Sequence, residues 1–228
     1  MNRLKAVLVI SLFFLTGCGL DVVKDVYADP VTTISPPTLD SAADAMVFEF
    51  STSKLTDSTN MGQIYLYYKI YNKLSVHDSE QNYLSGLAAD ENKSATSANR
   101  MLEYGYRELH VDKNGNGGAG VDTEVFTLSN EDHIVQLLLT APGYDPEIVV
   151  DSTRIGTPCR TNDRNFDFFE SSDGSNKPVA EDEDTKNFSD NSDGAYYVAL
   201  FSVFSTFDES YEPLYSPVHY LGSIKVTE

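Results

Sequence analysis

The sequence predicts a mainly β protein, an antiparallel β-sandwich with a small helical insert. About eight short segments are predicted to be β-strands, several of which alternate apolar and polar residues, and turn-forming residues separate them. One late segment, 195–204, is almost wholly apolar, as is typical of a central strand covered on both faces. The chain has 228 residues, of which 41% are hydrophobic, enough for one domain with appendages.

The strands can be placed in order along the chain. The first is predicted around Phe48 and Phe50, which alternate with more polar neighbours, and the strongest is 64–71. The loop 112–120 predicts a hairpin between the strands that flank it. Further strands are predicted at 109–111, 125–128, 133–139, 148–150, 166–169, 195–204 and 218–226.

A helical insert is predicted at about 78–104, between two of these strands. Asp78, with Gln81 three residues later, resembles a capping box at the start of a first helix. A second short helix is predicted over 94–104, and Gly105 is well placed to end it.

The N-terminus carries an export signal. Arg3 and Lys5 precede an apolar run, 6–15, and small residues follow it. A bilayer-spanning helix needs about 20 apolar residues, so this run is too short to span a membrane. Residues 1–17 are therefore predicted to be a signal peptide.

Leu15, Thr16, Gly17 and Cys18 resemble the lipobox of bacterial lipoproteins. The resemblance implies cleavage just before Cys18, a diacylglyceryl group on its thiol, and stable anchoring to the cell envelope. Gly19, where an Asp would retain many lipoproteins at the inner membrane, implies the outer membrane. The alternative is an ordinary signal peptide that happens to end at a cysteine.

Cleavage would remove 17 residues and leave 211, with Cys159 as the remaining thiol. Cys159 is then either a buried thiol or a link to another chain. Residues 18–44, with Pro30, Pro36 and Pro37 among polar residues, are predicted to be a lipid-anchored tether. The sandwich domain is predicted to occupy 45–228.

The closing stretch, 196–224, resembles the last hairpin of an Ig-like or fibronectin-III-like sandwich, and its layout is loosely similar to lipoproteins of the spirochaetal type. The Tyr-rich strand at 64–71 shares in this resemblance. The chain lacks the Cys and Trp hallmarks of true immunoglobulin domains. The resemblance therefore implies a fold and no activity.

The charge of the chain excludes one class of partner. It has 16 Lys and Arg against 35 Asp and Glu, a formal charge of -19, whereas a nucleic-acid binder needs a basic face. The most acidic region is 163–193, in which the run 181–184 is predicted to stay solvated. This acidic loop could bind divalent cations weakly, dock a basic partner, or only keep a long loop soluble.

One segment resembles the opening of a calcium loop. Asp112, Asn114, Asn116 and Gly117 have the spacing of such a loop, but Thr123 stands where a bidentate Glu is expected. We therefore interpret the segment as a hairpin loop in which Asn and Gly supply positive φ, and we predict no metal site.

A tyrosine row offers a candidate binding surface. Tyr65, Tyr67 and Tyr71 lie on one face of the predicted strand 64–71. If exposed, they could contact a protein or a glycan, because Tyr combines a large contact area with a hydroxyl group. The alternative is that this face lies beneath the helical insert.

Nothing in the sequence points to catalysis or to a cofactor. The four histidines are far apart, and no HExxH, G-x-S-x-G or P-loop motif is present. We therefore predict a non-catalytic binding or structural module at the cell envelope, with adhesion as one role. The alternative is a lipid-anchored hydrolase that uses carboxylates among the many acidic residues.

Overall fold

The computed structural model describes twelve stretches of the chain. They are residues 31–40, 46–53, 62–88, 101–113, 126–128, 132–140, 144–161, 164–166, 168, 176–185, 193–207 and 213–227. Residues 1–17, Cys18, Asn114 and Asn116 lie outside the described residues, so the signal peptide, the lipobox and most of the calcium-like loop do as well.

The described residues form a mainly β fold with one long helix, as predicted. The strands are β1 (Val31–Ser35), β2 (Val47–Thr52), β3 (Gly62–Tyr71), β4 (Arg107–Glu108), β5 (His110–Asp112), β6 (Phe126–Leu128), β7 (His133–Leu138), β8 (Glu147–Val150), β9 (Thr153–Cys159), β10 (Ala195–Phe207), β11 (Pro213–Tyr215) and β12 (His219–Thr227). Helix α1 spans Leu74–Ala88, between β3 and β4.

Two antiparallel sheets make a sandwich. The first has the order β1-β2-β7-β8-β9-β5. In the second, β10 lies between β3 on one side and β11 and β12 on the other, and β3 also pairs with β4 and β6. Residues that alternate along each strand meet between the sheets and form the main core, which includes Phe48, Phe50, Tyr68, Val135 and Leu200.

Strand β10 is buried on both faces, as the sequence predicts. Val198, Leu200 and Phe204 join the core between the sheets. Tyr197 and Phe201 point the other way, into a second apolar cluster on the outer face of the sheet, where α1 packs. An outer face that is covered by a helix explains why this strand has no polar side to its pattern.

The helical insert is confirmed, but its start differs from the prediction. Helix α1 begins at Leu74, one turn before Asp78, so Asp78 is not its cap. The amide of Leu74 instead donates to Asp193 Oδ2 over 2.8 Å, a cap that comes from a distant loop and has no local signature. Gly105 adopts φ 83° after the helical residues 101–103, which confirms its predicted role as a stop.

The hairpin predicted across 112–120 is wrong. Strand β5 pairs with β9 in the first sheet, whereas β6 pairs with β3 in the second. The two strands that flank the loop therefore belong to different sheets. Strand β9 lacks a clear alternating pattern, which explains why the sequence did not reveal it as a partner.

Two further boundaries are corrected by the structure. Strand β1 pairs with β2 and buries Val31, so the folded part includes residues that the sequence assigns to the tether of 18–44. The predicted strand at 166–169 is not formed in its described residues, although Phe166 and Phe168 are both buried in the core. Apolar character there reflects burial of a loop rather than a strand.

Candidate functional site

The tyrosines predicted as a binding row lie on the outer face of β3. Tyr67 and Tyr71 are 7% and 1% exposed, and Tyr65 is half-buried. Leu84 of α1 and Tyr106 belong to the same buried cluster. Of the two alternatives given by the sequence, the structure favours the covered face for Tyr67 and Tyr71, because the helical insert packs over it.

Lys69 lies at the centre of a buried polar cluster on this face. Its ammonium group is fully buried and donates to the Glu80 carboxylate of α1 and, over 2.7 Å, to the Tyr104 carbonyl oxygen. It also lies 4.9 Å from the Tyr71 ring centroid and 5.6 Å from that of Tyr106. The charge of Lys69 is thus balanced by a carboxylate, a carbonyl and two aromatic faces.

Two phenols complete this group, which we call the Lys69 cluster (Lys69, Tyr71, Glu80 and Tyr106). Tyr71 Oη donates to Glu80 over 2.9 Å and lies 2.8 Å from Tyr106 Oη. Burial, then the neighbouring Tyr106 and Glu80, raises the pKa of Tyr71 well above its ordinary value, and burial also raises the pKa of Tyr106. Both phenols therefore serve as hydrogen-bond donors and not as bases.

A second polar contact joins α1 to β12. His77 Nε2 lies 2.7 Å from Ser223 Oγ, and His77 Nδ1 lies 2.8 Å from Asp78 Oδ1. This order and these distances are those of a serine–histidine–aspartate triad. Tyr220 Oη lies 2.8 Å from the same serine oxygen.

The surroundings of Ser223 do not suit acyl transfer. A nucleophilic serine must reach a carbonyl carbon and needs donors for the oxyanion nearby. Ser223 is 3% exposed and His77 is 2% exposed, and the serine oxygen already has two partners. In this arrangement His77, Ser223 and Tyr220 hold α1 against β12 of the second sheet.

A second group of buried charges lies at the end of β9. Arg160 is 1% exposed and forms a two-point ion pair with Asp184, which is also 1% exposed. Nε lies 2.9 Å from Oδ2, and Nη2 lies 2.9 Å from Oδ1. The remaining donors reach Asp182 Oδ2 and the Asn176 carbonyl oxygen, each over 2.8 Å. Four of the five N–H groups of the planar guanidinium therefore have a partner.

Two neighbours extend this group, which we call the Arg160 cluster (Tyr68, Arg160, Arg164, Asp182 and Asp184). Tyr68 Oη donates to Asp184 over 2.7 Å, and Arg164 Nη1 donates to Asp182 over 2.7 Å. Burial alone would raise the pKa of Asp182, but the Val179 amide and the two guanidinium groups outweigh it and lower that pKa. The cluster holds Asp182 in its charged form.

The prediction that the run 181–184 stays solvated is therefore wrong for Asp182 and Asp184. Their neighbours Glu181 and Glu183 are exposed, as predicted. The amide of Ile70 in β3 donates to the Asp184 carbonyl oxygen over 3.0 Å, which ties the run to the edge of a sheet. A pattern of consecutive acids does not reveal that alternate members face a buried cation.

Of the calcium-like loop, Asp112 lies among the described residues, and three of the four histidines make contacts with other side chains. Asp112 is 8% exposed and lies in β5, away from solvent on most sides. His77, His133 and His219 make separate contacts with Ser223, Asp151 and Thr33. Across the described stretches, no three His, Cys, Asp or Glu side chains come together as metal ligands.

Cys159 lies at the end of β9 and is 4% exposed. Its thiol lies 3.6 Å from the Thr157 carbonyl oxygen. Of the two predicted alternatives, the structure favours a buried thiol over a link to another chain.

Within the residues that the structure describes, no helix is long and apolar enough to cross a bilayer.

Sequence reasoning missed the residues that carry the buried charges. The one available signal was Tyr68, because a tyrosine on the core face of a central strand must find a partner for its hydroxyl group.

Comparison of the chain with protein-family models, curated proteins and solved structures finds no match.

Proposed function

We propose that this chain is an exported lipoprotein, anchored to the cell envelope through acyl groups on Cys18. Its sandwich serves as a non-catalytic binding or structural module, as in adhesion. The observation that carries the proposal is the order of residues 1–18, in which a basic start, a short apolar run and a lipobox follow one another. Gly19 favours the outer membrane by analogy with the family.

The contacts of the described residues support a module without catalysis. The central cations of the two charged clusters, Lys69 and Arg160, are both buried. Each donates hydrogen bonds to carboxylate and carbonyl oxygens of the protein itself. Side chains held in this way stabilise a rigid scaffold and leave few groups to contact a substrate.

A binding role needs exposed contact residues. Tyr83 and Tyr144 are exposed aromatic side chains and replace Tyr67 and Tyr71 as candidates. Tyr83 of α1 is 43% exposed and stacks on Tyr104, with ring centroids 5.1 Å apart. Tyr144 is 56% exposed. With Tyr67 and Tyr71 covered, we propose these side chains as contacts for a protein or glycan ligand. The acidic charge excludes nucleic acid as that ligand.

Detergent phase partition of the protein made in its own cells tests the anchor. The chain is expected in the detergent phase, and Cys18→Ala is expected to move it to the aqueous phase. Cys159→Ala is the matched control, because it removes the other cysteine and leaves partition unchanged. Unchanged partition of Cys18→Ala would overturn the proposal.

Protease shaving of intact cells, with lysed cells as the control, then locates the module. Loss of the protein from intact cells places it on the outer surface and supports adhesion. Cleavage only after lysis places it in the periplasm and contradicts adhesion to an external ligand.

A lipid-anchored hydrolase is the second candidate, and the distance of 2.7 Å between Ser223 and His77 suggests a serine mechanism in place of the carboxylate mechanism expected from the sequence. A fluorophosphonate probe separates the two functions, since it labels only an activated and accessible serine. The burial of Ser223 leads us to expect no labelling. Labelling that disappears in Ser223→Ala would establish the hydrolase instead.

A further inference from the structure

The direction in which the chain enters the sandwich is fixed by β1. Val31 pairs with Thr52 of β2, which in turn pairs with His133 of β7. We call this the tether end of the sandwich, defined by Val31, Thr52, His133 and the turn between β8 and β9. The opposite end of the same sheet carries Cys159.

The second sheet follows the same polarity. Thr33 Oγ1 lies 2.8 Å from Nε2 of His219, the first residue of β12, and His219 pairs with Ser202 of β10. Tyr71 pairs with Tyr197 near the start of β10, so it lies at the other end. We call that other end, defined by Cys159, Arg160 and Tyr71, the distal end.

The Arg160 cluster places the acid-rich segment at the distal end. Arg160 follows β9 directly, and its partner Asp184 is tied to Ile70 near the end of β3. The exposed Glu181 and Glu183 flank this anchor. Asp193, which caps α1, lies on the same side.

We propose that the anchored protein stands on the bilayer with its tether end towards the lipid headgroups and its acidic distal end pointing away. This inference rests on the proposed lipidation of Cys18. Thirteen peptide steps join Cys18 to Val31, so the two residues are at most about 45 Å apart. The thirteen residues of β10 extend over about 40 Å, so even the longest possible connection exceeds the length of the sandwich only slightly and keeps the tether end nearer to the bilayer.

Exposed acidic side chains mark the distal end among the described residues. They include Glu181, Glu183 and Asp193. The surface that the anchored protein presents away from the bilayer is therefore the acidic distal end.

Energy transfer from a labelled cysteine to acceptor lipids tests this orientation. Thr153 at the tether end and Val179 at the distal end are both exposed and uncharged. Thr153→Cys and Val179→Cys, each combined with Cys159→Ala, form a matched pair. The lipidated proteins are reconstituted in vesicles of phosphatidylcholine, with and without phosphatidylglycerol.

Transfer from position 153 is expected to be at least about twofold higher than from position 179, because the sandwich separates them along the strand direction. The same order is expected with and without phosphatidylglycerol, because the point at which the chain enters the sandwich sets it. Equal or reversed transfer from proteins that float with the vesicles would overturn the orientation alone. Failure of the proteins to float would overturn the proposed lipidation and this inference with it.

Discussion

Arg160 and Asp184 form a two-point ion pair in which both side chains are almost fully buried, with two contacts of 2.9 Å. The pair joins the end of β9 to a segment that reaches the edge of β3. It therefore links the two sheets through charge at the distal end, where the apolar core stops.

Loss of Arg160 should be costly, because it leaves Asp184 buried without a counterion. We expect Arg160→Met to reduce the free energy of unfolding by about 3–5 kcal/mol in urea titrations. Arg164→Met is the control, since Arg164 is one-third exposed and its ion pair with Asp182 lies at the cluster's rim. Its expected cost is under about 1 kcal/mol. Equal effects of the two changes would show that the buried pair has no special role.

Acid should weaken the same cluster through Asp182. Its pKa in the folded protein lies below the ordinary 3.8, so its stabilising contribution is present above the unfolded pKa. That contribution disappears as the pH falls through the lower, folded value. At pH values below about 4, we expect the urea concentration at the unfolding midpoint to decrease in the parent protein. The decrease should be less steep in Asp182→Asn. Parallel pH profiles would contradict this assignment.

The Lys69 cluster offers a test of coupling between β3 and α1. Lys69→Met is expected to cost about 3 kcal/mol, since it leaves Glu80 facing two phenols without its cation. The double variant Lys69→Met/Glu80→Gln should lose less free energy of unfolding than the two single variants do together, by more than about 1 kcal/mol. Lys225→Met on β12, where the lysine is half-buried, is the control with a small expected effect. Additive losses would mean that the two groups do not stabilise each other.

Two buried serines of the second sheet should respond to alanine in opposite ways. Ser223 bonds to His77, so Ser223→Ala should destabilise by about 1–2 kcal/mol and speed hydrogen exchange in α1. Ser202 in β10 is fully buried, and its hydroxyl has no partner among the described residues, so Ser202→Ala should be neutral or stabilising. A loss of stability in Ser202→Ala would reveal a partner for that hydroxyl, and an unchanged Ser223→Ala would remove the proposed docking role.

The strands with two-residue alternation could be predicted from the sequence. Strands β2, β3, β7 and β12 are confirmed close to their predicted positions, because one buried face imposes a pattern that neighbouring residues display. Strand β10 could be predicted for a different reason, since a strand that is apolar on both faces requires cover on both sides.

Pairing between distant segments could not be predicted in the same way. The partner of β5 is β9, and the cap of α1 comes from Asp193, over one hundred residues away. The run 181–184 has the same composition whether Asp184 faces water or Arg160. Burial of a charge depends on where the chain brings its counterion, which no local pattern records.

The intact mass of the protein extracted from its own cells tests the central claim most directly. The account predicts a chain of 211 residues that begins at Cys18, with the added mass of a diacylglyceryl group and its acyl chains on that residue. The same measurement on Cys159→Ala should show an identical modification. A chain that still carries residues 1–17, or an unmodified Cys18, would contradict the account.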